Sequence, residues 1–333
     1  MRVTKKEFLP RDIMWKVGIL MRSKGWVQMT GGVLLFCLTL AIGCGPATMP
    51  VKQNFIVVYT SQDQIYAEKI FKKFTVDTGI EVKAVFDNES VKTMGLIKRL
   101  MAEQAQPVCD VFWSNEAMAA RKLSVAGIVV DFEEFGYRSR VLIVNTNRIE
   151  LSEAPKSIKD LISRKWKNKV AMAYPLFGTT ATHILALKEA WGSEIWESWC
   201  EGLVANKTKI VDGNSMVVRL VGAGEVLLGL TDSDDLAVGL SQQLPLASIP
   251  LENELCAIPN TVAMVKDAPH SEGAMSFINY VQQEEILADL VDNSALISAK
   301  LPPEENAFQS ILWPGILAEE KESFSFLRDT FLR

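Results

Sequence analysis

The chain has 333 residues and is acidic, with 40 Asp and Glu against 35 Lys and Arg and a formal net charge of −5. This charge excludes nucleic acid and anionic lipid surfaces as principal partners, because both attract basic proteins. There are only two histidines, and the sequence contains no HExxH, GxSxG or Walker sequence. We therefore expect a protein that is not an enzyme.

The first predicted element is an export signal. The apolar run Val33–Ile42 is about ten residues long, well below the ~20 that span a bilayer. Arg22 and Lys24 precede it, as basic residues precede the apolar core of a signal peptide. The five residues Leu40–Cys44 resemble a lipobox, which predicts that Cys44 is lipidated. Residues 1–43 are thus predicted as a signal peptide and 44–53 as a lipid-anchored linker.

Apolar runs and helical spacing of apolar residues then alternate along the chain. The predicted strands are Phe55–Tyr59, Val82–Phe86, Asp110–Trp113, Arg140–Asn145, Lys169–Ala173, Thr208–Val211, Val226–Leu230 and Thr261–Lys266. The predicted helices are one ending at Thr78-Gly79, then Val91–Glu103, Ile158–Ser163, Thr182–Trp191, Ile195–Leu203, two that begin at Ser215 and Ser233, and Glu272–Glu284. This order predicts α/β lobes in which helices cover mostly parallel sheets.

The length without the signal suits two lobes rather than one core. We expect the chain to cross between them near residue 140 and again near 255. Residues 54–139 with 256–300 would form lobe 1, and residues 140–255 would form lobe 2. The amphipathic segment within 301–333 is predicted as a helix that packs on a lobe. Cys109, Cys200 and Cys256 are predicted to be buried thiols.

Polar residues cluster just after the predicted strands, and open α/β sheets bind ligands at that edge. The candidate ligand-binding residues are Thr60, Ser61, Asp63, Asn115, Glu116, Gly178, Thr179, Thr180, Asn214, Ser215, Thr231 and Asp232.

Two chemistries are open at these positions. Carboxylates suit a hard cation, and the predicted metal ligands are Asp63, Glu116, Asp234 and Asp235, with Asp232 beside them. Helix starts at Thr179–Ala181, Asn214-Ser215 and Thr231–Ser233 instead favour an anion. A cation with a companion anion satisfies both, and an anion alone is the rival.

Several stretches resemble the extracellular solute-binding proteins of ABC importers, in the ferric-iron-binding group. They include VVYTSQDQIYAEKIFKKFTVDTGIEVKAVF, DVFWSNE, RVLIVNT, KVAMAYPLFGTTATH, GNSMVVRLVGAGEVLLGLTDSDD and IPNTVAMVKDAPH. The resemblance implies a two-lobed periplasmic-binding-protein type II fold, in which paired hinge strands join the lobes and let them close on a ligand.

The resemblance also assigns positions in the ligand site. Asp63 lies near the place of the family's histidine ligand, and Glu116 or Asn115 takes that of its glutamate. Residues 178–180 match the helix start that holds a synergistic anion. The adjacent tyrosines that bind ferric iron would fall near Asp232–Asp235, and they are absent here.

The expected function is capture of a small solute, with iron(III) or a related metal and a companion anion as the first hypothesis. An ABC permease and its ATPase would receive the solute from a monomeric protein in the periplasm or at the cell surface, held to the membrane only by lipid on Cys44. No catalytic cofactor is expected. The alternatives are a binder of a phosphonate, thiamine or polyamine, an exported metal-dependent hydrolase, and a sensor that reports its ligand to a membrane partner.

Overall fold

A computed structural model describes residues 54–87, 94–251, 253–301 and 311–332. The predicted signal peptide, the linker and Cys44 lie outside these residues. Within the described ranges, no helix combines the length and the apolar character needed to cross a membrane.

The first three strands form a parallel group. They are β1 (Phe55–Thr60), β2 (Glu81–Phe86) and β3 (Val111–Ser114), and β1 pairs in parallel with both neighbours. The helices that follow them are α1 (Gln64–Thr78), α2 (Met94–Ala102) and α3 (Ala117–Val125). Helix α1 ends at Gly79, whose φ of 71° is left-handed and suits glycine. The strand–helix alternation therefore gives the predicted α/β arrangement here.

Strands β4 (Val129–Asn145) and β9 (Ala257–Val265) lie antiparallel at the middle of the sheet, and β4 continues into its second half. Strand β4 pairs with β9 through residue 139, and from residue 140 it pairs with β7 (Leu228–Asp232) and β8 (Leu246–Ile249). The pairing partner thus changes between Ser139 and Arg140. Strands β4 and β9 are the paired hinge strands that the sequence predicts for this fold, whereas the lobe boundaries themselves stay a prediction.

The second parallel group consists of β5 (Val170–Ala173), β6 (Lys209–Val211) and β7. The strand order is β2-β1-β3-β9-β4-β7-β5-β6, with β8 on β4. The helices of this half are α4 (Gly178–Trp191), α5 (Ser193–Ala205), α6 (Asn214–Gly222) and α7 (Ser233–Ser241); α8 (Ser271–Val281), α9 (Glu284–Asp292) and α10 (Trp313–Phe331) follow β9.

Helix α10 packs against two hydrophobic clusters through its buried residues. Leu327 is fully buried in the cluster that includes Trp196 of α5. Ile316 packs instead among Met118 of α3 and Leu185 of α4. The helix therefore contacts elements on both sides of the hinge strands. The three cysteines are free and buried, as predicted.

Some element boundaries differ from the predicted ones. Strand β4 begins at Val129, not Arg140, because its first half pairs with β9 despite exposed polar residues and an irregularity next to Gly136. The predicted helix Glu272–Glu284 corresponds to α8, which ends at Val281. Helix α9 begins at Glu284, after Gln283, whose backbone is extended. Residues 158–162 form a 3₁₀ helix, and α4 begins at Gly178 rather than Thr182.

Candidate functional site

Two groups of parallel strands approach the hinge from opposite sides, and the loops at their carboxyl ends enclose two cavities. The smaller one, here named the Asn214 cavity, has a volume of about 30 Å³. Its lining residues are Asn115, Ala173, Tyr174, Phe177, Gly178, Thr179, Thr180, Asp212, Gly213, Asn214 and Asp232. Asn115 follows β3 on one side of the hinge, whereas the others follow β5 and β6 or end β7 on the other side. Both groups of strands end at the hinge, which brings these residues together. A space of this size holds a few water molecules or a small ion.

Two helices begin at the Asn214 cavity without a side-chain cap. The residue before α4 is Phe177 and the residue before α6 is Gly213, and neither makes a side-chain capping hydrogen bond. The first N–H groups of a helix have no partner inside the helix, and they lie at the positive end of its dipole. Two such ends beside one cavity favour a negatively charged group there.

Arg140 lies behind this cavity and is fully buried. Its Nη1 donates to Asp232 Oδ1 at 2.6 Å, to Asn214 Oδ1 at 3.2 Å and to Thr179 Oγ1 at 3.3 Å. Asp232 Oδ2 accepts from the Thr179 hydroxyl at 2.5 Å and from the Asn214 amide at 2.8 Å. The Asp232 charge is thus compensated, and its oxygens are already hydrogen-bonded. The Nε and Nη2 groups of Arg140 have no hydrogen-bond partner among the described residues.

The larger cavity, here named the Asp234 cavity, has a volume of about 400 Å³. It is lined by Asp63, Ile65, Tyr66, Ser215, Val218, Arg219, Asp234, Asp235, Val238, Gly239 and Gln242. Residues 63–66 come from the start of α1, and the others come from α6 and α7. The cavity is therefore walled by elements from both sides of the hinge strands.

Arg138 compensates the carboxylates of the Asp234 cavity. Its guanidinium is 1% exposed; Nη1 donates to Asp234 Oδ2 at 2.5 Å and lies 3.6 Å from Asp63 Oδ2. Nη2 donates to Gln62 Oε1 at 3.3 Å, and Gln62 in turn donates to Asn260 Oδ1 of β9 at 2.6 Å. Burial alone would lower the Arg138 pKa, but Asp234 and then Asp63 raise the pKa above its ordinary value.

The remaining predicted residues line neither cavity. Thr60 accepts from the Gln62 N–H at 3.0 Å, and the Ser61 hydroxyl lies 3.0 Å from that of Ser114. Thr231 donates to the Asn214 carbonyl oxygen at 3.2 Å. These three side chains shape the loops, and their contact with a ligand stays a prediction.

Glu116 caps a helix. It precedes α3, and its carboxylate accepts from the Met118 N–H at 2.7 Å and the Ala119 N–H at 3.0 Å. Burial raises the Glu116 pKa, and these hydrogen bonds oppose the shift. Both oxygens therefore have a structural role, and the predicted role in metal binding has no geometric support from the described contacts.

Of the predicted metal ligands, Asp234 and Asp235 lie in one close group with Asp232, and Asp63 and Glu116 are not part of that group. One carboxylate oxygen from each of Asp232, Asp234 and Asp235 lies within 4.8 Å of the others, which fits a hard cation. Two of these three carboxylates, however, make ion pairs with Arg140 and Arg138. The metal assignment thus stays a prediction.

Sequence reasoning missed Arg138 and Arg140. The sequence RSRVLIVN could have indicated them, because it places arginines at positions 138 and 140 of a strand that continues with apolar residues. Residues i and i+2 of a strand share a face, and arginine is almost never buried unless it is paired. Two arginines on one face therefore predict acidic partners, which are Asp232 at the end of β7 and Asp234 at the start of α7.

Two relatives of known assignment match most of the chain. Iron uptake protein A1 of Synechocystis is 25% identical over 280 residues, which cover 74% of this chain and 76% of that protein. A putative 2-aminoethylphosphonate-binding periplasmic protein of Salmonella typhimurium is 24% identical over 254 residues, covering 67% of this chain and 71% of that protein.

The fold also matches solved structures. Iron-bound HitA from Pseudomonas aeruginosa superposes with a TM-score of 0.73 at 23% identity, covering 83% of this chain and 99% of HitA. The predicted type II fold is confirmed by this likeness. The profile of the family described as bacterial extracellular solute-binding protein matches residues 56–292. The chain therefore belongs to the bacterial extracellular solute-binding proteins.

Proposed function

We propose that this protein is the solute receptor of an ABC importer and that it holds its solute by an oxyanion group in the Asn214 cavity. The main support is the start of two uncapped helices, α4 and α6, at this one cavity. An oxyanion accepts hydrogen bonds from their first N–H groups and is attracted by both helix dipoles.

Arg140 adds a second argument for an oxyanion. Its guanidinium is fully buried, contacts three residues that line the cavity, and has two groups without a hydrogen-bond partner among the described residues. A buried donor without a partner costs about 1–3 kcal/mol. Arg140 balances the buried carboxylate of Asp232, and the other carboxylate that lines the cavity, Asp212, is exposed to solvent.

Two kinds of solute carry such an oxyanion. Iron(III) with a companion anion is our first hypothesis, supported by the iron-uptake relative and by the close carboxylates of Asp232, Asp234 and Asp235. An organic phosphonate or phosphate is the second, supported by the phosphonate relative and by the ion pairs that engage Asp232 and Asp234. In both, the anion occupies the Asn214 cavity.

The test is isothermal titration of the purified full chain with inorganic phosphate, 2-aminoethylphosphonate and ferric citrate. Asn214→Asp adds a negative charge where the proposal places the oxyanion, so we expect at least tenfold weaker binding of every probe that wild type binds. Asn147→Asp is the matched control, because Asn147 is exposed at the opposite end of β4. Wild-type protein that binds none of the probes, or equal affinities of the two variants, would refute the proposal.

Delivery to a permease and its ATPase, and lipid attachment at Cys44, belong to the same proposal. They are supported by the family and by the predicted export signal. Cys44→Ser should release the protein from the membrane fraction, as fractionation would reveal. The hydrolase alternative predicts phosphate release from a phosphoester, whereas a receptor only binds its solute.

A further inference from the structure

Arg138 contacts residues from both sides of the hinge strands. It pairs with Asp234 at the start of α7, and on the other side it reaches Gln62 and Asp63 in the loop after β1. Arg138 itself lies on β4, within the hinge. It is therefore placed at the centre of the cleft rather than on its rim.

The position of this guanidinium matters for the charge of the cleft. Asp63, Asp234 and Asp235 line the Asp234 cavity, and a hard cation would have to coordinate carboxylates of this set. The positively charged Nη1 of Arg138 already lies 2.5 Å from Asp234 Oδ2 and 3.6 Å from Asp63 Oδ2. Arginine stays protonated at every physiological pH, so this charge is permanent.

A metal ion that took Asp234 from Arg138 would leave a guanidinium buried at 1% exposure with its principal partner lost. An uncompensated buried charge is strongly destabilising, so the exchange opposes metal binding.

We infer that Arg138 determines the specificity of the cleft by occupying the place of a cation, so that the protein binds an oxyanion solute without a metal. This inference rests on the proposed function and narrows it to organic or inorganic oxyanions that bind directly. The two arginines then have different roles. Arg140 hydrogen-bonds residues that line the Asn214 cavity, and Arg138 compensates the carboxylates of the Asp234 cavity.

The experiment compares wild type with Arg138→Gln, Arg138→Lys and Arg121→Gln, each as the full chain. Arg121→Gln removes the same charge from α3, where the partner is Glu134, and is the matched control. Each protein is titrated with phosphate and 2-aminoethylphosphonate in EDTA and again after removal of EDTA with Mn²⁺ present. Cation affinity is measured separately with Mn²⁺ and with ferric nitrilotriacetate, and circular dichroism checks the fold.

Wild type, Arg138→Lys and Arg121→Gln should bind the oxyanion with the same Kd with and without EDTA. Arg138→Gln should bind Mn²⁺ or ferric iron at least tenfold more tightly than wild type, and its oxyanion binding should become dependent on the cation. Oxyanion binding by wild type that requires a metal, or no gain of cation affinity in Arg138→Gln, would overturn the inference while leaving the proposed function standing.

A second variant covers the case in which Arg138→Gln does not fold. Asp234→Asn removes a potential metal ligand, and on our inference its oxyanion Kd is also unaffected by EDTA. If wild type binds ferric iron and Asp234→Asn does not, Asp234 is a metal ligand and the inference is wrong. If neither wild type nor Arg121→Gln binds any oxyanion under any condition, the proposed function itself has failed.

Discussion

The arginines at positions 138 and 140 lie on the same face of β4, yet they interact with different loops. Arg140 holds the ends of β7, α4 and α6 together, whereas Arg138 reaches across to the loop after β1. A buried ion pair adds little net stability when compared with apolar packing, but it is costly to leave half of it unpaired. These contacts therefore fix the geometry of the cleft more than they stabilise the fold.

His183 is the neighbouring residue whose ionisation should affect stability. It is fully buried on α4, and its Nε2 lies 2.8 Å from the Glu254 carbonyl oxygen. Burial, and then the positive charge of Arg140, lower the His183 pKa to about 3, while the Glu254 carbonyl and Asp232 partly oppose the shift. The folded protein therefore keeps this imidazole neutral at pH 5.

We predict that this histidine weakens the fold in acid. Below pH ~6.5 the unfolded chain binds a proton that the folded chain does not, so stability falls as pH decreases toward 3. The His183 contribution between pH 7 and pH 5 is a loss of about 2 kcal/mol. Urea unfolding at both pH values should give a smaller drop for His183→Gln than for wild type, and equal drops would contradict the prediction.

At the scale of the elements, α10 contacts three other helices, α3, α4 and α5. Its Glu320 pairs with Lys122 of α3 at 2.5 Å, and its Glu319 pairs with Lys188 of α4 at 2.7 Å. Leu327 anchors the other half of the helix in the core around α5. The helix thus needs its apolar face as well as its ion pairs to stay docked.

We predict that Leu327→Ala destabilises the protein by about 2–5 kcal/mol, because it leaves a cavity in a packed core. Leu332 is a suitable control, since 48% of its surface is exposed. Leu332→Ala should change stability by less than about 0.5 kcal/mol. Chemical denaturation measures both, and similar values for the two variants would mean that α10 is not docked as described.

For the whole molecule, β4 belongs to both halves of the sheet, and the cleft lies where its pairing changes from β9 to β7. A solute that contacts loops from both sides stabilises the closed arrangement by its differential affinity. Any such ligand also stabilises the folded state against the unfolded state, which makes binding visible without knowledge of the solute's identity.

We predict a thermal shift for the full chain with a phosphonate or phosphate solute. A ligand at 100 times its Kd adds about 2.7 kcal/mol, which raises the Tm of a chain of this size by about 4–5 °C. Asn214→Asp, measured against its own Tm without ligand, should shift by about half as much or less, because tenfold weaker binding lowers the stabilisation to about 1.4 kcal/mol. An equal shift in both proteins would place the ligand outside the Asn214 cavity.

Many of the strands and helices can be predicted from the local spacing of apolar residues in the sequence. Apolar runs such as Phe55–Thr60 and helical spacing such as that of α1 predict the elements, because burial on a pleated strand or a helix face imposes a fixed period. The position of the cleft follows as well, since parallel strands bring their carboxyl ends to one edge. Six of the predicted ligand residues do line the Asn214 cavity, and four line the Asp234 cavity.

The sequence could not assign partners to the charged residues. The TDSDD segment reads equally well as a metal site, a helix start or a set of ion-pair partners, because each needs only carboxylates at close spacing. The choice depends on Arg138 and Arg140, which lie 96 and 92 residues along the chain from their partners Asp234 and Asp232. Only the tertiary structure brings such distant charges together, because electrostatic pairing depends on separation in space and not along the chain.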